Sequence, residues 1–245
     1  MSISRIYQSA PLALNATHSL DEKASHHIAR VLRASVGELL TLFNGEGGEY
    51  TAVITHIDKK SVRVELTEFH AREVESPLQI HLAQGIARGE KMDFIIQKAV
   101  ELGVTNIIPL VTARCNVRLD SEREEKRLQH WQAVAISACE QSGRNHLPTI
   151  AAPQSLAAWL PSLQNEKCFV LSPFAEYKLL KTDKLLVNTP VVLLIGPEGG
   201  LTDDEIETAI KNKFTALNLG PRVLRTETAT IAAVTVLQFV YGDVG

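Results

Sequence analysis

At 245 residues, with 45% hydrophobic and 22% charged residues, the chain has enough apolar material for a small domain and a medium one, which excludes a disordered polypeptide. A formal net charge of −3 gives no bulk attraction to nucleic acid, so an RNA partner has to be held by a local basic surface. Cys115, Cys139 and Cys168 are too dispersed for a disulfide framework or a zinc signature, no apolar run is long enough to span a bilayer, and MSISRIYQSAPLALNA lacks the apolar stretch of a signal peptide; a cytoplasmic protein with no membrane segment and no metal is expected.

The first third of the chain reads as β-rich. A short helix is predicted over about Asp21 to Leu32, followed by strands over Glu38–Phe43, Glu49–Ile57 and Ser61–Leu66, where Val, Ile, Thr and Tyr partly alternate with polar residues. The turns between these strands are Asn44-Gly-Glu-Gly-Gly48 and Asp58-Lys-Lys60. This pattern predicts a small barrel or curled meander. The charged stretch EFHAREVESP, ending at Pro77, marks the change of rhythm, and two domains are expected, 1–72 and 73–245. His26 and His27 are adjacent, and neighbouring side chains on a helix diverge by about 100°, so they do not form a metal pair.

After Pro77, strands alternate with helices. LQIHLAQ, VTNIIPLV, CFVLS, VVLLIG and TALNLG are predicted strands. The first helix places Met92, Ile95, Ile96 and Ala99 on one face and stops at Gly103. A long second helix begins at a Ser121/Glu124 capping box, carries Leu128, Trp131, Ala135 and Cys139 on one face and runs out at Gly143. A third begins at Thr202/Glu205, and a last one runs from about Thr226 to Tyr241. The expected fold class is α/β with a mainly parallel, two-sided sheet. The final helix, TATIAAVTVLQFVY, is apolar nearly all round, which suits either a central core element or half of a subunit interface.

Two segments carry the chemistry. In VVLLIGPEGGLTDDE, a buried strand opens into Gly196-Pro-Glu-Gly-Gly200 and then a capped helix; glycines at such a strand end admit a ligand close to the backbone, although an ordinary tight turn has the same sequence. In Leu219-Gly-Pro-Arg-Val-Leu-Arg-Thr-Glu-Thr-Ala229, two arginines, a glutamate and two threonines crowd a second strand-to-helix junction. There Thr226 could also serve as a helix cap and Arg225 as the partner of Glu227. The dinucleotide fingerprint, the P-loop and the H-E-x-x-H motif are all missing, which disfavours a nicotinamide dehydrogenase.

Together, IGPEGGL and LGPRVLRTETA resemble the paired motifs of the SPOUT class of RNA methyltransferases, and within it the RsmE family, which methylates N3 of a uridine in 16S ribosomal RNA. The resemblance extends to HHIARVLR, LFNGEGGEY, QGIARGEKMDFIIQKAVELGV, TARCNVRL and EQSGRNHLP, so it covers nearly the whole chain. Cys115 stands where the family has serine, and Tyr241 where it has tryptophan. The resemblance implies a C-terminal SPOUT α/β domain threaded as a trefoil knot and an N-terminal PUA-like β-barrel that binds RNA. It also implies a homodimer with S-adenosylmethionine (S-adenosyl-L-methionine) as cofactor, acting on small-subunit ribosomal RNA or the assembled subunit. A SPOUT enzyme acting on a ribose 2′-hydroxyl or a tRNA base, or a non-catalytic RNA-binding assembly protein, are the alternative readings.

On that resemblance the cofactor is expected at Leu171, Gly196, Glu198, Gly199, Gly200, Leu219, Gly220, Leu224, Thr226 and Ala229. Methyl transfer to uracil N3 requires the N3 anion, because the neutral lone pair belongs to the imide. Arg225 and Arg114 are the candidates for holding charge on O2 and O4, and Glu140, Glu198 and Glu227 for accepting the proton. Arg30, Arg33, Arg88, Lys91, Arg118 and Arg144 are the expected phosphate contacts.

Overall fold

Apolar alternation builds the first sheet. In the computed structural model, which describes residues 3–58, 61–115, 121–176 and 189–245 (121 and 122 without their side chains), this sheet contains β1 (Ser4–Tyr7), β2 (Thr17–Ser19), β3 (Leu39–Phe43), β4 (Glu49–Ile57) and β5 (Val62–His70). Their order is β1-β3-β4-β5-β2, with β1 parallel to β3 and the other pairs antiparallel. Alternate residues of β4 and β5, including Ala52, Ile54, Val62, Val64 and Leu66, are buried in one cluster with Ala24 and Ile28. Ala24 belongs to α1 (Glu22–His26), which Asp21 caps through a bond from the Ala24 N–H, and Ile28 to its continuation, a π-helical stretch over His27–Leu32. The sequence predicts one helix over these residues; the wider winding and the short edge strands β1 and β2 have no local signal.

The chain divides into two compact units: residues up to Glu75 together with Cys139–Leu147, and Ser76–Ala138 together with Pro148–Gly245. Polar side chains bind the distant segment into the first unit. Arg5 pairs with Glu49 and donates to Asn145 Oδ1 (2.7 Å), whose own Nδ2 donates to the Arg72 carbonyl (2.7 Å). Arg144 forks onto Glu75 at 2.9 and 2.6 Å, and the Tyr7 N–H donates to Glu140 Oε1 at 3.0 Å. Burial alone would raise the Glu49 carboxyl, but the hydrogen bond from Arg5 and the charges of Arg5 and Arg72 outweigh it and hold it below the ordinary range.

The second unit is α/β. Its strands are β6 (Ile80–Gly85), β7 (Asn106–Val111), β8 (Thr149–Ile150), β9 (Gln154–Ser155), β10 (Lys167–Leu171), β11 (Val191–Ile195) and β12 (Thr215–Leu217). They run in the order β12-β10-β11-β6-β7-β8, with β9 also on β7, and every pairing is parallel. β11 is buried at every position, as expected of a strand covered on both faces. The helices are α2 (Glu90–Glu101), α3 (Ser121–Ser142, whose last four residues belong to the first unit), α4 (Leu156–Trp159), α5 (Asp203–Lys211) and α6 (Thr226–Tyr241). Thr202 and Glu205 form the expected capping box on α5, whereas the side chain of Ser121 lies outside the described residues.

α6 is a core element of the second unit on one of its faces. It lies against α2 and buries Ala233, Val234 and Leu237, while Ile231, Val236 and Val240 stay half-buried and Phe239 is 45% exposed. Cys115, Cys139 and Cys168 form no disulfide among the described residues, and burial pushes both Cys139 and Cys168 up to about 11, far from reactive thiolates. Among the described residues no helix is long and apolar enough to cross a membrane, and no group of three or more His, Cys, Asp or Glu is placed to hold a metal ion.

Candidate active site

In an open parallel sheet, ligands lie outside the carboxyl ends of the strands. The second unit has a cavity of about 540 Å³ there, walled by the loops that leave β10, β11 and β12 and by the first turns of α5 and α6. That volume is within the range of small-molecule and cofactor sites. All ten residues expected at the cofactor line it: Leu171, Gly196, Glu198, Gly199, Gly200, Leu219, Gly220, Leu224, Thr226 and Ala229. So do Ile195, Leu217 and Ile206, and the strongly exposed Phe174 and Val223. The lining combines aliphatic side chains and glycine backbone with the charged groups of Arg114, Glu198, Asp203 and Arg222.

The loop after β11 is held from three directions. Arg114 donates through Nη1 to the carbonyls of Gly199 (2.9 Å) and Leu201 (3.2 Å). Glu198 Oε1 accepts from the Arg88 N–H (3.0 Å) and faces Lys91 Nζ at 3.6 Å. Behind the loop, Gln84 at the end of β6 donates to the Gly196 carbonyl (3.3 Å) and to Thr226 Oγ1 (3.0 Å), and Thr226 Oγ1 in turn donates to the Gly196 carbonyl (2.7 Å). At Gly196 a Cβ would lie 2.6 Å from the Leu201 nitrogen, inside the turn's own backbone, so only glycine allows the chain to reverse there.

The loop after β12 is built differently. Asn218 Nδ2 donates to the Pro173 carbonyl (2.8 Å) and its Oδ1 accepts from the Gly220 N–H. Gly220 has φ +114° and a Cβ there would meet nothing within 4 Å, so backbone conformation and not crowding calls for glycine. Arg222, Val223 and Arg225 are exposed. Arg225 is the N-cap residue of α6, and its guanidinium has no ion pair or hydrogen bond among the described residues; the pairing with Glu227 suggested by sequence is not formed. Glu227 Oε2 is buried without a hydrogen-bond partner, although the residue as a whole is half-buried.

Four sequence expectations change. Arg114 bridges two loop carbonyls through Nη1, which makes it a support of the cavity wall as well as a cation at its edge. Glu198 is a poor proton acceptor: burial would raise its carboxyl, but the Arg88 N–H and the Lys91 ammonium outweigh it and hold it below the usual range. Glu140 lies in the first unit, occupied by the Tyr7 N–H. Arg144 is only 4% exposed and is forked onto Glu75, so it organises its own segment and does not offer a phosphate contact. Arg30 and Arg33 are exposed, Arg33 with φ +53° at the end of the π-helical stretch; Arg88 and Lys91 stand beside Glu198; Arg118 lies outside the described residues.

Sequence reasoning misses Gln84 and Thr230, which are buried with Thr226 in one polar network behind the cavity; Thr230 Oγ1 donates to Gln84 Oε1 at 2.8 Å. The available signal is a glutamine near the end of the largely apolar strand IHLAQG, since a buried amide is costly unless its bonds are met.

Residues 74–238 match an RNA methyltransferase domain, and residues 20–67 an RNA methyltransferase PUA domain. The chain is 39% identical over 242 residues to the ribosomal RNA small subunit methyltransferase E of Buchnera aphidicola subsp. Schizaphis graminum, covering 98% of each chain. It is 31% identical over 230 residues to that of Bacillus subtilis, covering 91% of this chain and 90% of the other. A crystal structure of ribosomal RNA small subunit methyltransferase E from Neisseria gonorrhoeae bound to S-adenosyl methionine superposes with a TM-score of 0.92 at 38% identity, covering both chains completely. A Legionella pneumophila protein in complex with the bound cofactor SAM superposes with a TM-score of 0.93 at 41% identity, covering 99% of this chain and 100% of the other.

Proposed function

Because the chain belongs to the ribosomal RNA small subunit methyltransferase E family, we propose that it transfers the methyl group of S-adenosylmethionine to N3 of a uridine in small-subunit ribosomal RNA. The observation that carries this reading is the glycine- and leucine-walled cavity at the carboxyl ends of β10, β11 and β12, in a fold shared with two structures that hold this cofactor. Gly196, Gly200, Leu219, Gly220 and Leu224 are the residues that would hold it, through close backbone approach and aliphatic contact. When bound, S-adenosylmethionine supplies an electrophilic sulfonium methyl.

The chain's own residues do the remaining work. Arg225, uncommitted and next to the cavity, stabilises the negative charge that a deprotonated uracil spreads over O2 and O4; one such donor lowers a barrier by about 3 kcal/mol. Glu227, with one carboxylate oxygen lacking a partner, either orients Arg225 or takes the N3 proton. The first unit, read as a PUA-like barrel, binds the RNA, with Arg30 and Arg33 as phosphate contacts, while Arg88 and Lys91 extend the basic surface beside the cavity. The half-buried apolar face of α6 pairs with a second copy to form a homodimer, and the loops of the cavity thread the trefoil knot of the SPOUT class.

The test is transfer of labelled methyl from S-adenosylmethionine to small-subunit ribosomal RNA, or to assembled subunits, lacking the modification, with the product nucleotide mapped by mass spectrometry. Label at uridine N3 is the expected result. Label on a ribose or a tRNA base would reassign the target, and binding of RNA without any transfer would leave only an assembly role.

A further inference from the structure

We propose that Gln84 is the positioning residue that sets the two halves of the cofactor cavity at their working separation, an inference that rests on the cavity being the S-adenosylmethionine site. Gln84 lies near the end of β6, is fully buried and is not part of the cavity lining. Its amide nevertheless joins the elements that form the cavity. The two N–H groups of Nε2 are shared among three acceptors, the carbonyls of Gly85 (3.0 Å) and Gly196 (3.3 Å) and Thr226 Oγ1 (3.0 Å), and Oε1 accepts from Thr230 Oγ1 (2.8 Å). One amide therefore ties the start of the loop after β11 to the first turn of α6, where the loop after β12 ends.

The orientation of the amide follows from its partners. Carbonyl oxygens only accept, so the NH₂ must face Gly85 and Gly196, and Oε1 is left for the hydroxyl of Thr230. Filling space would not require this arrangement, because the same strand fills its other buried positions with Ile80, Leu82 and Ala83. What the amide adds is a fixed direction between two loops from a strand more than a hundred positions away in sequence, in an interior where an unmet polar group is costly.

Gln84→Met keeps the volume and removes every donor. Binding of S-adenosylmethionine is measured by calorimetry alongside Tm, together with KM for the cofactor and kcat at saturating cofactor. The control is Ile107→Ala, a buried β7 residue outside the cavity lining. The expected result is Gln84→Met binding at least about tenfold more weakly with kcat within about threefold of wild type, while Ile107→Ala loses Tm but binds normally. Thr230→Val, which removes only the hydroxyl facing Oε1, is expected to bind about threefold more weakly, and it decides the matter if Gln84→Met does not fold. Wild-type affinity in a folded Gln84→Met, or in Thr230→Val where the first variant is unfolded, would overturn the inference and reduce Gln84 to core filling. Failure of the wild-type protein itself to bind S-adenosylmethionine would instead overturn the cofactor reading beneath it.

Discussion

The loops after β11 and β12 both leave a buried strand through glycine and both wall the same cavity, yet they are supported in opposite ways. The first is held by Gln84, Arg114 and the Arg88 N–H, and its Gly196 has no room for a Cβ. The second is tied through Asn218, and beyond Gly220 it presents Arg222, Val223 and Arg225 to solvent. A preformed wall lowers the ordering cost of binding a ligand, whereas an uncommitted guanidinium is free to meet charge that develops on a substrate. On the proposed reading both loops touch the cofactor, and the division between them is that only the second also carries an uncommitted cation, Arg225.

The largest expected effect breaks that division on the chemical side. Arg225→Ala should lower kcat by about 10²–10³-fold with the S-adenosylmethionine Kd within about threefold, because its partner charge develops in the transition state. Arg114→Ala should show the reverse, with binding weakened and kcat at saturating cofactor little changed; equal losses in both parameters for either arginine would erase the distinction. Next in size, Gly196→Ala should weaken cofactor binding by on the order of 100-fold, since backbone must move by 2–3 kcal/mol worth of strain. Gly220→Ala, with open space around it, has only the left-handed backbone to oppose it and should cost about tenfold or less. Calorimetry on the pair orders the two loops by rigidity.

The smallest effect concerns Glu198. Its carboxyl titrates lower in the folded protein than the ordinary value of 4.5, so its contacts add stability above that value and lose it as pH falls through the lower folded value. Glu198→Gln should melt about 1–2 °C below wild type at neutral pH, and the two curves should converge as the solution is acidified through the lowered folded value.

Much of the second unit is legible in sequence because β6, β7, β10, β11 and β12 are apolar runs punctuated by glycine, and capped helices separate several of them. The strand-end loops show for the same reason. β1, β2, β8 and β9 do not, being two to four residues long with their partners elsewhere in the chain. Nor does the π-helical winding of His27–Leu32, whose Ile, Val and Leu also fit an ordinary helix. In the site, Arg225 and Arg114 are indistinguishable by residue type; the carbonyls that occupy one and not the other are fixed only by the folded loop. Arg144 reads as a surface cation because its carboxylate partner lies 69 positions away, and Gln84 reads as an edge residue because its hydroxyl partners lie 142 and 146 positions away.

The Arg5–Asn145 bond also has a temporal side. Asn145 follows Arg5 by 140 positions, so the first unit cannot acquire its last stitches while its own strands are emerging from the exit tunnel. A nascent chain that has released only the barrel strands carries Glu49 and Glu75 without their full complement of guanidinium and amide partners. The barrel is therefore completed late in synthesis, after most of the long helix α3 has been made.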